Sequence, residues 1–153
     1  ITNDIAMALR TPTHEAEEIK QRYAVAKQAL ANASASFEVP GLGDRAPRLL
    51  SHQSLAAVVE PRVEELFSLV AQVIRESGYE ELLSSGIVLT GGTAQIPGMV
   101  ELGEDVFLKQ VRVARPAYSG SLADLVCSPR YATALGLLEE ARRQWLRGGV
   151  VSR

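Results

Sequence analysis

Residues 86–98, GIVLTGGTAQIPG, constrain this chain more than any other stretch. Ile87, Val88, Leu89 and Thr90 are apolar or β-branched, a pattern that predicts a short buried strand. The strand ends at Gly91-Gly92, where the backbone is free to take positive φ and another group can come close. Thr93 then reads as the cap of a helix starting near Ile96, with Pro97 in its first turn, where a missing N–H costs little. A strand, two glycines and a helix N-terminus would set backbone amides around a shallow floor suited to a flat ring or a polyanion. No Lys-Ser or Lys-Thr follows the glycines, so this is not a Walker A loop. The spacing of Gly91, Gly92 and Gly98 does not fit a dinucleotide fingerprint either. A bare Gly-Gly is equally the mark of an ordinary βα turn.

The rest of the composition narrows the class. A chain of 153 residues suffices for one core or two small lobes. With 46% hydrophobic and 22% charged residues it is globular. A net charge of −2 gives no bulk pull toward nucleic acid, and none is expected as a partner. The one cysteine, Cys127, leaves no internal disulfide to form and fits a reducing compartment. With two histidines, His14 and His52, there is no metal-ligand set and no hydrolytic triad. Catalytic residues are therefore expected to be none. The chain opens on Ile1 instead of Met, and the expectation is a fragment of a longer protein.

Thr2, Asn3 and Asp4 read as a helix cap, followed by Ile5, Ala6 and Leu9 at helical spacing. Thr13 is expected to cap a second helix over 13–30, with Ala16, Ile19, Tyr23, Ala26 and Leu30 as its apolar stripe. Glu17 and Lys20 are neighbours at i, i+3 on that helix, which by itself suggests a solvated ion pair. Around Phe37 and Leu49 the pattern alternates on either side of a Pro-Gly turn, predicting a hairpin with Arg45 and Arg48 on its exposed rim. From Ser51 a 3.6-residue period runs through Leu55, Val59, Val63, Leu66, Phe67, Val70 and Val73 to Gly78, with Pro61 expected to kink or break the helix. After the central strand come a predicted helix over 97–108 and a second strand over 110–114. A long loop over 115–127 follows, then a helix capped by Ser128 with Tyr131, Leu135 and Leu138 as its buried stripe and Trp145 as a packing anchor.

Two of these segments resemble a known family. Residues 87–98 are similar to the adenosine motif of the actin, sugar-kinase and DnaK-type chaperone superfamily. Together with Thr2-Asn3-Asp4-Ile5-Ala6 they look most like FtsA, the bacterial cell-division actin homologue. The resemblance implies an α/β fold: an incomplete actin-like (ribonuclease H-like) lobe plus a small α+β lobe with a β-hairpin and long helices. It places residues 1–12 and 86–147 in the actin-like lobe (subdomain 2A) and 13–85 in the inserted small lobe (subdomain 2B). Residues 148–153 begin a C-terminal linker.

For function, the resemblance implies the C-terminal half of an ATP-binding protein that links FtsZ filaments to the membrane. Gly91, Gly92, Thr93 and Gln95 would carry adenosine. Glu17-Glu18-Ile19-Lys20 resembles a Glu-x-x-Lys pair that flanks the nucleoside, with Glu17 on ribose and the Lys20 stem on adenine. Magnesium is expected only with an N-terminal half that carries the phosphate hairpins. Arg48 and Arg62 match positions of the family's docking surface for the FtsZ C-terminal tail, with Arg45 and Gln53 on the same face. Self-association into actin-like filaments, contacts with other division proteins and membrane attachment through a C-terminal helix beyond this chain are further implications. They place the protein in the cytoplasm, at the inner face of the cell membrane at the division site. Two alternatives remain: from the residues alone, a helical scaffold that binds no nucleotide; within the resemblance, a piece of another actin-like ATPase such as a pilus-assembly relative.

Overall fold

The computed structural model describes residues 1–41, 43 and 46–148. The chain divides into two compact units, one made of Ile1–Ile87 and Ile96–Val111, the other of Val88–Gln95 and the chain from Arg112 onward.

The first unit opens with helix α1 (Thr2–Leu9) and helix α2 (Thr13–Tyr23), which pack on one another. Between them Arg10 takes a left-handed conformation and closes α1 through its amide to the Ala6 and Met7 carbonyls. The expected cap at Thr2 does not form: α1 begins at Thr2 itself, without a side-chain cap. Thr13 likewise opens α2 without capping it. α2 is shorter than its apolar period suggests. At Ala24 the chain turns extended, and the Ala26 amide bonds the Pro97 carbonyl at 2.8 Å, so a tertiary hydrogen bond replaces the helical one. A 3-10 turn over Gln28–Leu30 follows, and Leu30 is exposed instead of buried.

The hairpin forms as its alternation predicts. Strands β1 (Ser36–Val39) and β2 (Arg48–Ser51) are antiparallel, with Phe37 opposite Leu50 and Val39 opposite Arg48. Phe37 and Val39 point into the core while Glu38 faces outward, the expected period of two. Buried Thr11 donates its hydroxyl to the Pro40 carbonyl at 2.9 Å, tying the α1–α2 connection to the hairpin.

Helix α3 (His52–Glu76) is the backbone of this unit. Ser51 caps it by accepting the Ser54 amide at 3.1 Å. The helix runs unbroken through Pro61, so of the expected kink or break the break does not occur. Proline removes only the bond to the Ala57 carbonyl, and that residue is exposed, so water can take the orphaned acceptor. Leu55, Val59, Val63 and Phe67 are buried at steps of four, and Phe67 meets Phe107 of helix α4 (Met99–Phe107) with ring centroids 5.2 Å apart. At its start His52 meets Tyr23 and Phe37 edge-on, and those two rings stack at 4.5 Å. The apolar period continues to Val73, yet Leu66, Val70 and Val73 are exposed in this unit. Periodicity gives the direction of an apolar stripe and leaves open which part of it is covered. Gly78, at φ 74°, follows the helix as the expected left-handed residue.

Strands β3 (Ile87–Leu89) and β4 (Val111–Val113) form a two-stranded sheet. Ile87 donates to Gln110 and Ala114 donates to Leu89, both at 2.8 Å, a pattern that only parallel strands give. α4 is the crossover between them, as in a βαβ unit.

The second unit carries a short helix α5 (Ala123–Val126) inside the segment expected to be a loop, a 3-10 turn over Pro129–Tyr131, and helix α6 (Ala132–Leu146). Ser128 does not cap a helix through its side chain. Among the residues of α6 none is buried: Leu138 is 67% exposed and Trp145 75%, and Tyr131 just before it is also exposed. The expected buried stripe and tryptophan anchor are therefore absent here, Leu135 alone being half-covered. Residues 149–153 of the expected linker lie outside the described residues.

Candidate functional site

In the second unit the Gly-Gly turn after β3 is open. Gly91 adopts φ 93° with nothing within 4 Å of where a Cβ would stand, so conformation and not crowding calls for glycine there. Its amide is not free to meet a ligand, because it bonds the Pro129 carbonyl at 3.1 Å. A Cβ on Gly92 would approach only Arg130 Cβ, at 3.7 Å, an ordinary contact. Gly92, Thr93 and Gln95 are exposed.

Thr93 does not cap α4. It begins a one-turn 3-10 helix over Thr93–Gln95, and α4 starts four residues beyond that turn with Gly98 as its N-cap at φ 87°. Glycine suits that cap, since the positive φ strains any side chain and a Cβ would lie a tight 3.0 Å from the Lys27 amide nitrogen. Ser128 and Gln95 side chains meet at 3.3 Å. The 3-10 turn thus rests on the Pro129–Tyr131 turn within the same unit.

In the first unit Glu17 and Lys20 form more than a solvated pair. Lys20 Nζ donates to Glu17 Oε2 at 2.7 Å and to Thr2 Oγ1 at 2.9 Å, while the Thr2 hydroxyl donates to the same Oε2 at 2.6 Å. Gln21 Nε2 donates to Glu17 Oε1 at 2.8 Å. The Lys20 side chain is 15% exposed and that of Glu17 40%. The Lys20 hydrogen bond first, then those of Thr2 and Gln21, hold the Glu17 carboxyl down to about 2. Sequence reading took Thr2 for a helix cap. Its part here depends on α1 and α2 folding together, and no local signal marks it.

The four residues assigned to partner docking include three described ones. Arg48, the first residue of β2, is exposed, and its guanidinium donates to the Leu9 carbonyl at the C-terminal end of α1. Arg62 on α3 bridges two carboxylates: Nε is 3.2 Å from Asp4 Oδ2, and Nη1 pairs with Glu65. The Glu65 hydrogen bond raises the Arg62 pKa further. Both arginines thus grip α1, at points about 7.5 Å apart along its axis. Gln53 is exposed in the first turn of α3. Arg45 lies outside the described residues. Among the described residues no cluster of three or more His, Cys, Asp or Glu has the arrangement to hold a metal ion. No helix among them is long and apolar enough to cross a membrane.

Residues 1–136 match the family described as Cell division protein FtsA. The chain belongs to the FtsA family. It is 56% identical over 138 residues to the cell division protein FtsA of Pseudomonas aeruginosa, covering 90% of this chain and 33% of that protein. It is 42% identical over 155 residues to FtsA of Escherichia coli strain K12, covering 97% of this chain and 37% of that protein. The chain therefore spans about a third of the length of these curated relatives. Among solved structures it is similar to MreB5 of Spiroplasma citri bound to ADP, with a TM-score of 0.62 at 16% identity, covering 97% of this chain and 45% of that one. The same protein bound to AMPPNP gives a TM-score of 0.64 at 15% identity, with the same coverage. The fold is a partial actin-like α/β fold, as expected for an FtsA-family chain.

Proposed function

We propose that this chain is the C-terminal portion of an ATP-binding, actin-like cell-division protein that connects FtsZ filaments to the membrane. In this reading residues 1–12 and 86–147 serve the actin-like lobe and 13–85 the smaller lobe, with 148–153 leading into a tail. Gly91, Gly92, Thr93 and Gln95 carry adenosine. Glu17 accepts a ribose hydroxyl, and the Lys20 stem packs on adenine. Magnesium belongs with phosphate-binding residues outside this chain. Arg48, Arg62, Arg45 and Gln53 receive the acidic tail of FtsZ, and the protein works at the cytoplasmic face of the membrane alongside other division proteins.

The observation that carries the nucleotide reading is the state of Glu17. Oε2 accepts two hydrogen bonds and Oε1 one. A carboxylate has about four acceptor directions, so one remains on Oε1 for a hydroxyl donor. The nucleotides named with the MreB5 structures agree in kind with this assignment. Gly92 supplies the test, because a side chain there meets little of the protein itself.

Gly92→Val in the intact FtsA-family protein is expected to leave the melting temperature near the wild-type value. It should weaken ATP binding about tenfold or more, since overpacking a ring site costs ~1–3 kcal/mol. ATP affinity equal to wild type in a calorimetric titration would remove the adenosine assignment.

A further inference from the structure

The remaining capacity of the Glu17 cluster is set by a residue outside α2. Thr2 Oγ1 stands between the two charged groups, donating to Glu17 and accepting from Lys20. It fills the second acceptor direction of Oε2 and takes one of the three ammonium protons, while another goes to Glu17. With Gln21 on Oε1, the carboxylate plane is held from three sides. Without the Thr2 hydroxyl, Oε2 regains a free acceptor direction and Lys20 a free proton. The pair then offers solvent or a ligand four positions where it now offers two, one acceptor on Oε1 and one ammonium proton.

The geometry points to Thr2 as a positioning residue for ribose recognition, its hydroxyl orienting Glu17 so that Oε1 presents a single acceptor to a nucleotide hydroxyl. This rests on the proposed nucleotide role of Glu17 and goes beyond it, since it assigns selectivity for hydroxyl-bearing ribose to a side chain that need not touch the ligand. Thr2 belongs to α1, the helix that Arg62 grips at Asp4 two residues on. Its placement is therefore fixed by packing and not by the α2 sequence that carries the carboxylate.

The test is the preference for ATP over 2′,3′-dideoxy-ATP, measured by titration calorimetry on the intact protein with wild type, Thr2→Val, Thr2→Ser and Glu17→Gln. A hydrogen bond to a charged group corresponds to a preference of about tenfold or more in wild type. Glu17→Gln should abolish most of it. Thr2→Val, equal in shape but without the hydroxyl, should reduce it about fivefold, ATP affinity falling more than dideoxy-ATP affinity, and Thr2→Ser should retain it. If Glu17→Gln removes the preference and Thr2→Val keeps it, the Thr2 inference is overturned and the Glu17 reading stands. If Glu17→Gln keeps the preference, both fall. Equal weakening of both nucleotides by Thr2→Val, or loss of preference in Thr2→Ser, overturns the positioning role in favour of a purely structural one.

Discussion

Lys20 Nζ lies 2.7 Å from Glu17 Oε2, one turn away on α2, and the same carboxylate oxygen accepts the Thr2 hydroxyl from α1. The folded-state pKa of Glu17 is about 2 against an ordinary 4.5, with the Lys20 hydrogen bond as the main cause. A carboxyl whose pKa falls on folding contributes stability that is complete above its unfolded pKa and is lost as pH falls toward the folded one. The contribution should therefore be constant near neutrality and shrink below pH 4.5. Melting curves of wild type and Glu17→Gln should differ by a fixed amount above about pH 5 and converge as the pH falls toward about 2. A gap that stays constant down to that pH would contradict the assignment. Since Glu17 is partly exposed, raised salt should narrow the gap as well.

Gly86 and Gly78 both sit at positive φ, 78° and 74°. Only Gly86 is also hemmed in, because a Cβ there would lie 2.2 Å from the Gln110 carbonyl oxygen, the acceptor that opens the β3–β4 ladder. Gly78→Ala should cost the conformational penalty alone, ~1–2 kcal/mol. Gly86→Ala should cost that and a disturbed strand hydrogen bond, about 2–3 kcal/mol in all. Chemical denaturation of the two variants side by side measures the difference; equal losses would mean that Gln110 yields without cost.

The arginines assigned to the FtsZ tail are already engaged, so their charge reversal has two separable effects. Arg62→Glu sets a third carboxylate beside Asp4 and Glu65 and should lower the melting temperature modestly, an effect that salt reverses. Arg48→Glu removes the donor to the Leu9 carbonyl at the end of α1. If these residues dock an acidic peptide, each reversal should weaken binding of a synthetic FtsZ tail by about tenfold or more. Wild-type affinity should also fall as salt rises. Fluorescence-anisotropy titrations in which both variants bind as wild type does would place the docking surface elsewhere.

The elements governed by neighbours in the chain were legible from residue order. The hairpin around Phe37 and Leu50, the strand–glycine–helix–strand run from Ile87 to Val113, and the left-handed Gly78 after α3 each follow from a period or a φ requirement. So did the pairing of Glu17 with Lys20, since i, i+3 residues on a helix are neighbours wherever that helix lies. What residue order could not supply were the outcomes of competition between local and distant partners. α2 stops at Tyr23 because Ala26 finds the Pro97 carbonyl, although the apolar period runs on to Leu30. The Gly91 amide is taken by Pro129, and Thr93 turns in a 3-10 helix where a cap was expected. Leu66, Val70 and Val73 keep their place on the stripe of α3 without being buried, since periodicity orients a side chain and only packing covers it. Thr2 is the plainest case: a hydroxyl with the chemistry of a helix cap joins a carboxylate fifteen residues away because two helices fold together, and hydrogen bonds are decided by proximity in space.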